Sequence, residues 1–339
     1  MADDGSMTAP LEITFGGDNH VHDVALHPGR NIGAAALIDG AVHVFGYEPG
    51  RSAATLHTAR HHKDACRSVA FTACGSGLVT GSKDRSLGFV DMESGVVVHH
   101  EANAHNAAVN VVAAYGTNLF AAGDDEGDLS LWDVRTSWRS PALSWRQDEN
   151  ADYISDMCPV VDRHHMLVTC ADGTLGVWDV RGKGSLFAMS DDVEDELLSV
   201  QVIKSGNKVV CGTQDGMVLI WSYGDFGDYD ERFPGHPESI ESMVVVDADT
   251  ICTASSDGLI RVVQIHPNKL LGVVGRYEFP VECIRLSHDR QWIASSSHDG
   301  AVKFWEAGFL FEADDDDDVD MDVDADTPRP GNGFFAGLD

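Results

Sequence analysis

One interval in the chain does not vary. From an acidic residue that precedes Gly, Arg or a similar turn residue to a downstream aromatic or valine position, the spacing is six residues in seven places: Asp39 to Phe45, Asp84 to Val90, Glu126 to Trp132, Asp172 to Trp178, Asp215 to Trp221, Asp257 to Val263 and Asp299 to Trp305. The turn positions follow one another at 45, 42, 46, 43, 42 and 42 residues. The clearest copy, residues 167–181, reads as an apolar run, a tight Asp172-Gly173 turn, an alternating run and then Trp178-Asp179-Val180-Arg181. Side chains on a strand alternate with period two, so the third and fifth residues after each turn share one face. They are Val42/Val44, Leu87/Phe89, Leu129/Leu131, Leu175/Val177, Val218/Ile220, Ile260/Val262 and Val302/Phe304, all apolar.

Self-similarity at this period, with room for four short strands per copy, predicts an all-β, seven-bladed β-propeller over residues 11–311. Residues 1–10 have no periodicity and read as a disordered start. Leu11 to Phe15 alternates like a strand but precedes the first full copy, whose inner strand is expected near His22 to Leu26. A ring of sheets closes most securely when its last blade is completed by a strand from the other end of the chain. Leu11 to Phe15 is therefore expected to be the outer strand of the blade that ends at Trp305.

Net charge is −32 over 339 residues. From Glu312 onward there are eleven acidic residues and one arginine, so ten of those charges belong to the end of the chain and −22 remains on the body. Residues 312–339 are expected to be a disordered tail, because the aspartate run from Asp314 to Asp326 has almost nothing apolar to bury. Beyond it, Phe334, Phe335 and Leu338 form a small apolar cluster that reads as a short docking motif. An acidic body disfavours direct nucleic-acid binding, which needs Lys/Arg clusters, and favours basic protein partners. The seven cysteines are scattered without a Cys-x-x-Cys pair, which suits reduced thiols in cytosol or nucleus. No apolar run reaches membrane-spanning length and the first residues are polar and acidic, so no membrane association is expected.

The residues offer no coherent catalytic or cofactor site. There is no phosphate-cradling Gly-rich loop, no Gly-x-Ser-x-Gly elbow and no His-Glu-x-x-His pattern. The pairs His61/His62, His99/His100 and His164/His165 come nearest to metal ligands, but neighbours on a strand point to opposite faces, and loop or blade-edge positions are expected for them. The acidic loop from Asp191 to Glu196 reads as solvated surface.

The seven copies resemble WD repeats, whose signature is a Gly-His start, a turn Asp and a closing Trp-Asp. The last is literal here only at Trp132-Asp133 and Trp178-Asp179. In that family an opening His (here His105, His236, and His61 or His62), the turn Asp, a Ser or Thr two residues before it (Ser82, Thr213, Ser255, Ser297) and the Trp make a hydrogen-bonded tetrad. No copy places all four at those positions, so the Asp-to-Ser/Thr contact is expected to be the more dependable remnant. Two copies extend to Trp-Asp-x-Arg, as Trp132, Asp133 and Arg135 and as Trp178, Asp179 and Arg181. This resembles the motif by which WD-repeat substrate receptors dock on DNA damage-binding protein 1, the adaptor of Cullin-4 ubiquitin ligases. The plainer reading pairs each Arg with a local acid.

Over residues 20–311 the string resembles the WD repeat-containing protein 55 family, in residues 62–71, 81–84, 122–127, 258–261, 266–268 and 303–305, and again at 333–338. The resemblance implies a non-enzymatic, cofactor-free scaffold, monomeric, nuclear and nucleolar, acting with ribosomal or pre-ribosomal proteins in ribosomal RNA production and large-subunit maturation. A Lys/Arg-rich tract usual in that family's tails is missing; this tail has only Arg329.

Overall fold

The computed structural model describes residues 11–16, 19–48, 54–146 and 151–311. The docking motif of Phe334, Phe335 and Leu338 lies outside the described residues, as do residues 1–10. The described chain forms seven four-stranded antiparallel sheets and no α-helix. Blade 1 comprises Val21–Leu26, Ile32–Leu37, Ala41–Gly46 and Ala54–Arg60; blade 2 Cys66–Phe71, Gly77–Ser82, Leu87–Asp91 and Val97–Glu101; blade 3 Val109–Tyr115, Leu119–Asp124, Asp128–Asp133 and Leu143–Arg146. Blade 4 comprises Ile154–Val160, His165–Cys170, Leu175–Asp179 and Ser185–Met189; blade 5 Leu197–Ile203, Lys208–Thr213, Met217–Ser222 and Glu231–Pro234; blade 6 Ile240–Val245, Thr250–Ser255, Leu259–Gln264 and Lys269–Arg276. Blade 7 joins Val281–Leu286, Trp292–Ser297 and Ala301–Glu306 to Leu11–Thr14.

The alternating pattern explains the sheets directly. All fourteen apolar positions after the turns are buried between neighbouring blades. Leu11–Thr14 runs antiparallel to Ala301–Glu306, with Leu11 opposite Phe304 and Ile13 opposite Val302. It carries Leu11 into a core shared by the first and last blades, with Val21, Phe45, Tyr47 and Phe304. The two ends of the described domain are thus held in one sheet, and opening the ring there exposes apolar surface as well as a ladder edge.

All seven inner strands share a departure from regular pairing that no apolar pattern announces. Each skips one register between its first and third residue: Val21/Asp23, Cys66/Ser68, Val109/Val111, Ile154/Asp156, Leu197/Ser199, Ile240/Ser242 and Val281/Cys283. A bulge leaves its extra residue unpaired and re-aims the side chain. The freed residues, His22, Arg67, Asn110, Ser155, Leu198, Glu241 and Glu282, line an axial cavity of about 600 Å³.

Polar side chains at the bulges then join each blade to the next. Asp23 accepts from Ser68 Oγ at 2.9 Å and the Val69 amide at 3.0 Å, and Ser68 Oγ accepts from the Val112 amide at 3.1 Å. Asn110 Nδ2 donates to the Ile154 carbonyl at 2.8 Å, and Asp156 accepts from the Val200 amide at 2.9 Å. Ser199 Oγ donates to the Ile240 carbonyl at 2.9 Å, and Ser242 Oγ accepts from the Ile284 amide at 3.3 Å. Cys283 Sγ closes the circle, donating to Asp23 at 3.1 Å, while Arg285 Nη2 reaches Asp23 at 2.9 Å. Every joint in the ring has such a bond. Replacing Asp23 by Ala removes the acceptor of the Ser68 hydroxyl and the Val69 amide and leaves Arg285 only Ser242 and the Ile284 carbonyl, and is expected to destabilise the fold by about 2 kcal/mol in urea unfolding. Cys283→Ala removes only a weak sulfur donor and is expected to lose roughly 1 kcal/mol or less.

Candidate protein-interaction surfaces

Turns between the second and third strands and connections between blades gather at one end of the disc, here the upper face, where the bulge residues open the channel. The mouth is chemically two-sided. On the blade 2 side Arg67 makes a forked contact with Asp125 at 2.7 and 2.8 Å. On the far side Glu241 accepts from Ser239 Oγ at 2.6 Å and Ser256 Oγ at 2.8 Å, Glu282 pairs with His298 at 2.5 Å, and Tyr153 donates to Glu196 at 3.2 Å. Burial, with help from the Glu241 charge, raises the Glu282 carboxyl above its ordinary value. Deeper in the channel, burial lifts the Asp156 carboxyl to about 6. The acidic arc extends outward through residues 191–196, where Asp192 Oδ1 accepts from the Glu194 amide at 2.8 Å.

Arg135 and Arg181 sit at the opposite, lower face, just beyond the third strands of neighbouring blades 3 and 4. Each is bound by its own acid: Arg135 Nε and Nη2 donate to Asp133 at 2.9 and 2.6 Å, and Arg181 donates to Asp179 at 2.9 and 2.5 Å. These contacts hold both carboxyls below the ordinary aspartate range. The side chains are 65% and 63% exposed, so what the lower face presents is two outward-facing, self-satisfied ion pairs rather than free guanidinium forks. Trp132 and Trp178 are buried in the blades and serve the core.

The hydrogen-bonded tetrad is complete in one blade, contrary to expectation, because two members come from shifted positions. In blade 3, His105 Nδ1 bonds Asp124 at 2.9 Å and His105 Nε2 bonds Ser130 Oγ at 2.5 Å, and Trp132 Nε1 donates to the same hydroxyl at 2.7 Å. The acid is Asp124, two residues before Glu126, and the hydroxyl comes from the third strand. Asp124 also accepts the amides of Glu126 and Asp128, so it, not Glu126, is the turn acid of this blade. Elsewhere the histidine bonds a hydroxyl four residues before the turn Asp: His62 Nε2 to Thr80 at 2.7 Å and His236 Nε2 to Thr253 at 2.8 Å. In blade 7 Tyr277 replaces the histidine, and Ser295 Oγ meets Tyr277 Oη and Trp305 Nε1, each at 2.7 Å.

Of the hydroxyls two residues before the turn, two meet the turn Asp through its amide: Asp84 N–H donates to Ser82 Oγ at 3.1 Å and Asp257 N–H to Ser255 Oγ at 3.4 Å. Ser82 and Ser255 donate to backbone carbonyls at the blade connection, Thr213 accepts the Met217 amide, and buried Ser297 has no partner. Asp39, Asp84, Asp172, Asp257 and Asp299 each accept the amide two residues ahead, which is the ordinary turn role of Asp, whereas Asp215 contributes its amide, donating to Asp195 at 3.2 Å.

Comparison with known proteins agrees with this architecture. The profile of the WDR55 family matches residues 10–310. A WD repeat-containing protein 55 of Arabidopsis thaliana is 36% identical over 306 residues, covering 90% of this chain and 85% of its own. The Homo sapiens protein of that name is 36% identical over 316 residues, covering 91% and 81%, and a Dictyostelium discoideum homologue is 32% identical over 308 residues, covering 91% and 73%. The chain belongs to the WD repeat-containing protein 55 family. As a WD-repeat propeller of this family it is a protein-interaction scaffold, and its partners are proteins.

Within this family member the histidines depart from the strand rule in one place. The rings of His61 and His62 approach to 4.0 Å, and His100 lies 5.6 and 6.0 Å from them. Both members of the pair sit in the connection between blades, not on a strand, so alternation does not separate them. They share Thr80 Oγ1, at 2.9 and 2.7 Å. Gly88 is what admits His61, since a Cβ there would lie 2.1 Å from its Nε2. Among the described residues no group of three or more His, Cys, Asp or Glu is placed to hold a metal ion.

Two measurements follow from these bonds. Ser130→Ala leaves Trp132 Nε1 and His105 Nε2 without partners in the core, while His105 keeps Asp124, and is expected to lose about 2 kcal/mol of stability, whereas Ser297→Ala, at a hydroxyl without a partner, should change it by no more than about 0.5 kcal/mol. Burial lowers His61 and His236 to about 4 and His62 to about 3. Unfolded histidine titrates near 6.5, so the unfolded chain takes up more protons below that pH, and stability present above 6.5 is lost as pH falls towards 4. Asp156, raised to about 6, and Glu282, also raised, act the other way, against these three histidines and against His22, His27, His43 and His165, which burial lowers as well. Acidification from pH 7 to 5 is expected to lower the unfolding temperature, and His236→Asn should flatten that dependence by up to about 2 kcal/mol.

Proposed function

We propose that this protein is a non-enzymatic scaffold of nucleolar ribosome biogenesis, serving ribosomal RNA production and large-subunit maturation by holding basic ribosomal or pre-ribosomal proteins. Membership in the WD repeat-containing protein 55 family supports the reading. The acidic half of the channel mouth carries it physically: Glu196, Glu241 and Glu282 line one arc of a protein of net charge −32, a field that draws in Lys- and Arg-rich partners and repels nucleic-acid backbones. Location in the nucleus and nucleolus belongs to the same proposal. The acidic residues from Glu312 to Asp326 favour carriage by basic partners.

A second reading, docking to the DNA damage-binding protein 1 adaptor of a Cullin-4 ligase, draws on the placement of Arg135 and Arg181 on adjacent blades of the lower face. One experiment separates the two. Proximity labelling in nuclei with the wild-type chain is expected to recover pre-ribosomal proteins. Glu241→Gln with Glu282→Gln should deplete basic ribosomal proteins from the labelled set, and Arg135→Ala with Arg181→Ala should leave them unchanged. Recovery of the adaptor with no pre-ribosomal protein, lost in the arginine variant, would replace the first reading by the second.

A further inference from the structure

The lower rim of blades 4 and 5 carries an apolar surface that the ring does not use. Val161, Leu186 and Phe187 are 45%, 44% and 53% exposed, although large side chains elsewhere in these blades are packed away. Phe187 occupies the register break of blade 4's outer strand, which turns it out of the normal alternation. Its ring begins a continuous stack. The His165 ring lies 4.4 Å away, His165 Nδ1 bonds Tyr223 Oη at 2.8 Å, and the Arg163 guanidinium lies 3.8 Å over the Tyr223 ring. Arg181 and exposed Lys183 follow blade 4's third strand on the same face. Among the described residues Arg163 and Lys183 form no ion pair, so cations border an aromatic surface on an otherwise acidic molecule.

The chemistry that fits is an acidic segment carrying aromatic residues, and the chain supplies one. After Phe311 come ten acidic residues up to Asp326 and then Phe334, Phe335 and Leu338. The described chain ends on the correct face: residues 308–311 pack beneath blades 6 and 7, with Arg290 at 5.2 Å over the Phe311 ring. Reach is ample. A domain of about 300 residues is roughly 50 Å across, whereas the 23 residues from Phe311 to Phe334 extend to about 80 Å. Tethering also supplies an effective concentration on the order of millimolar, so even a weak contact is populated.

We propose that the lower rim of blades 4 and 5 is the docking surface of the chain's own C-terminal segment, with Phe334 and Phe335 against Leu186 and Phe187 and the aspartate run beside Arg163, Arg181 and Lys183. The docked segment covers Arg181, so it competes with any partner that reads the lower face. The proposal stands apart from the ribosomal reading, which rests on the upper face.

Hydrogen exchange of the full-length protein tests it. In the Phe334→Ala/Phe335→Ala chain, amides of 161–165 and 185–189 should exchange on the order of threefold faster or more, as expected on release from a site occupied two-thirds of the time. Leu186→Ser/Phe187→Ser should release the same segment, read as an equal increase in radius of gyration by solution scattering, and combining all four substitutions should add nothing. Unchanged inner-strand exchange shows that each variant is folded. Identical exchange in wild type and tail variant overturns the proposal. So does protection that moves to the exposed Leu56 and Val98 rim of blades 1 and 2, or that grows with protein concentration, the mark of a second copy as occupant.

Discussion

The ring closes through polar bonds made at one bulge repeated seven times. A propeller blade is hydrophobic on both faces, and apolar burial alone is non-directional; it would accept blades sliding over one another. Bonds from Asp23, Ser68, Asn110, Asp156, Ser199, Ser242 and Cys283 to the neighbouring blade fix the rotation of each sheet about the axis. Asp23, Ser68, Ser199, Ser242 and Cys283 are buried, so a missing partner there is expensive. The same bulge that supplies these bonds frees the residue before each of them, or in blade 3 the Asn110 side chain itself, for the channel. Closure and the chemical character of the upper mouth therefore come from consecutive residues.

The blades reach rigidity by different bonds on one scaffold. Blade 3 completes a four-member network by drawing its acid from Asp124 and its hydroxyl from Ser130, while blade 7 reaches a similar result with Tyr277, Ser295 and Trp305. Blade 5 lacks that network; its Trp221 donates instead to the Gly227 carbonyl at 3.1 Å. In blades 3, 5 and 7 the third-strand indole keeps a hydrogen-bond partner although a different residue supplies it each time, because burying an unpaired polar group is costly.

This explains what the sequence could and could not reveal. The six-residue offset and the fourteen apolar positions report period-two burial, so blade number, strand faces and the terminal strand were readable. The blade 3 tetrad is hidden because the six-residue offset falls on Glu126, whose side chain is exposed, while Asp124 two residues earlier enters the network. The polar ring was invisible for a different reason. Asp, Ser, Asn and Cys share no pattern in one dimension, and only alignment of the seven inner strands on their first buried residue would have placed them at one level. His61 and His62 do lie in a connection, as expected of loop positions, and it is there, where strand alternation does not apply, that their rings come together.

The two faces are divided by the strand itself. Six residues between turn acid and Trp span about 20 Å at strand rise, so whatever follows the turn and whatever follows the Trp emerge on opposite sides of the disc. Upward, the freed bulge residues give a mouth with Arg67 on one side and Glu241 and Glu282 on the other. Downward, the two Trp-Asp-x-Arg copies end in neutralised pairs, and beside the second of them exposed aromatic carbon meets Arg163 and Lys183. A basic partner is thus guided to the upper face by the field of the whole molecule, while the lower rim of blades 4 and 5 suits an acidic, aromatic segment. Because the chain's own last residues have that character and leave from that face, access to the lower surface depends on the same polypeptide that forms it.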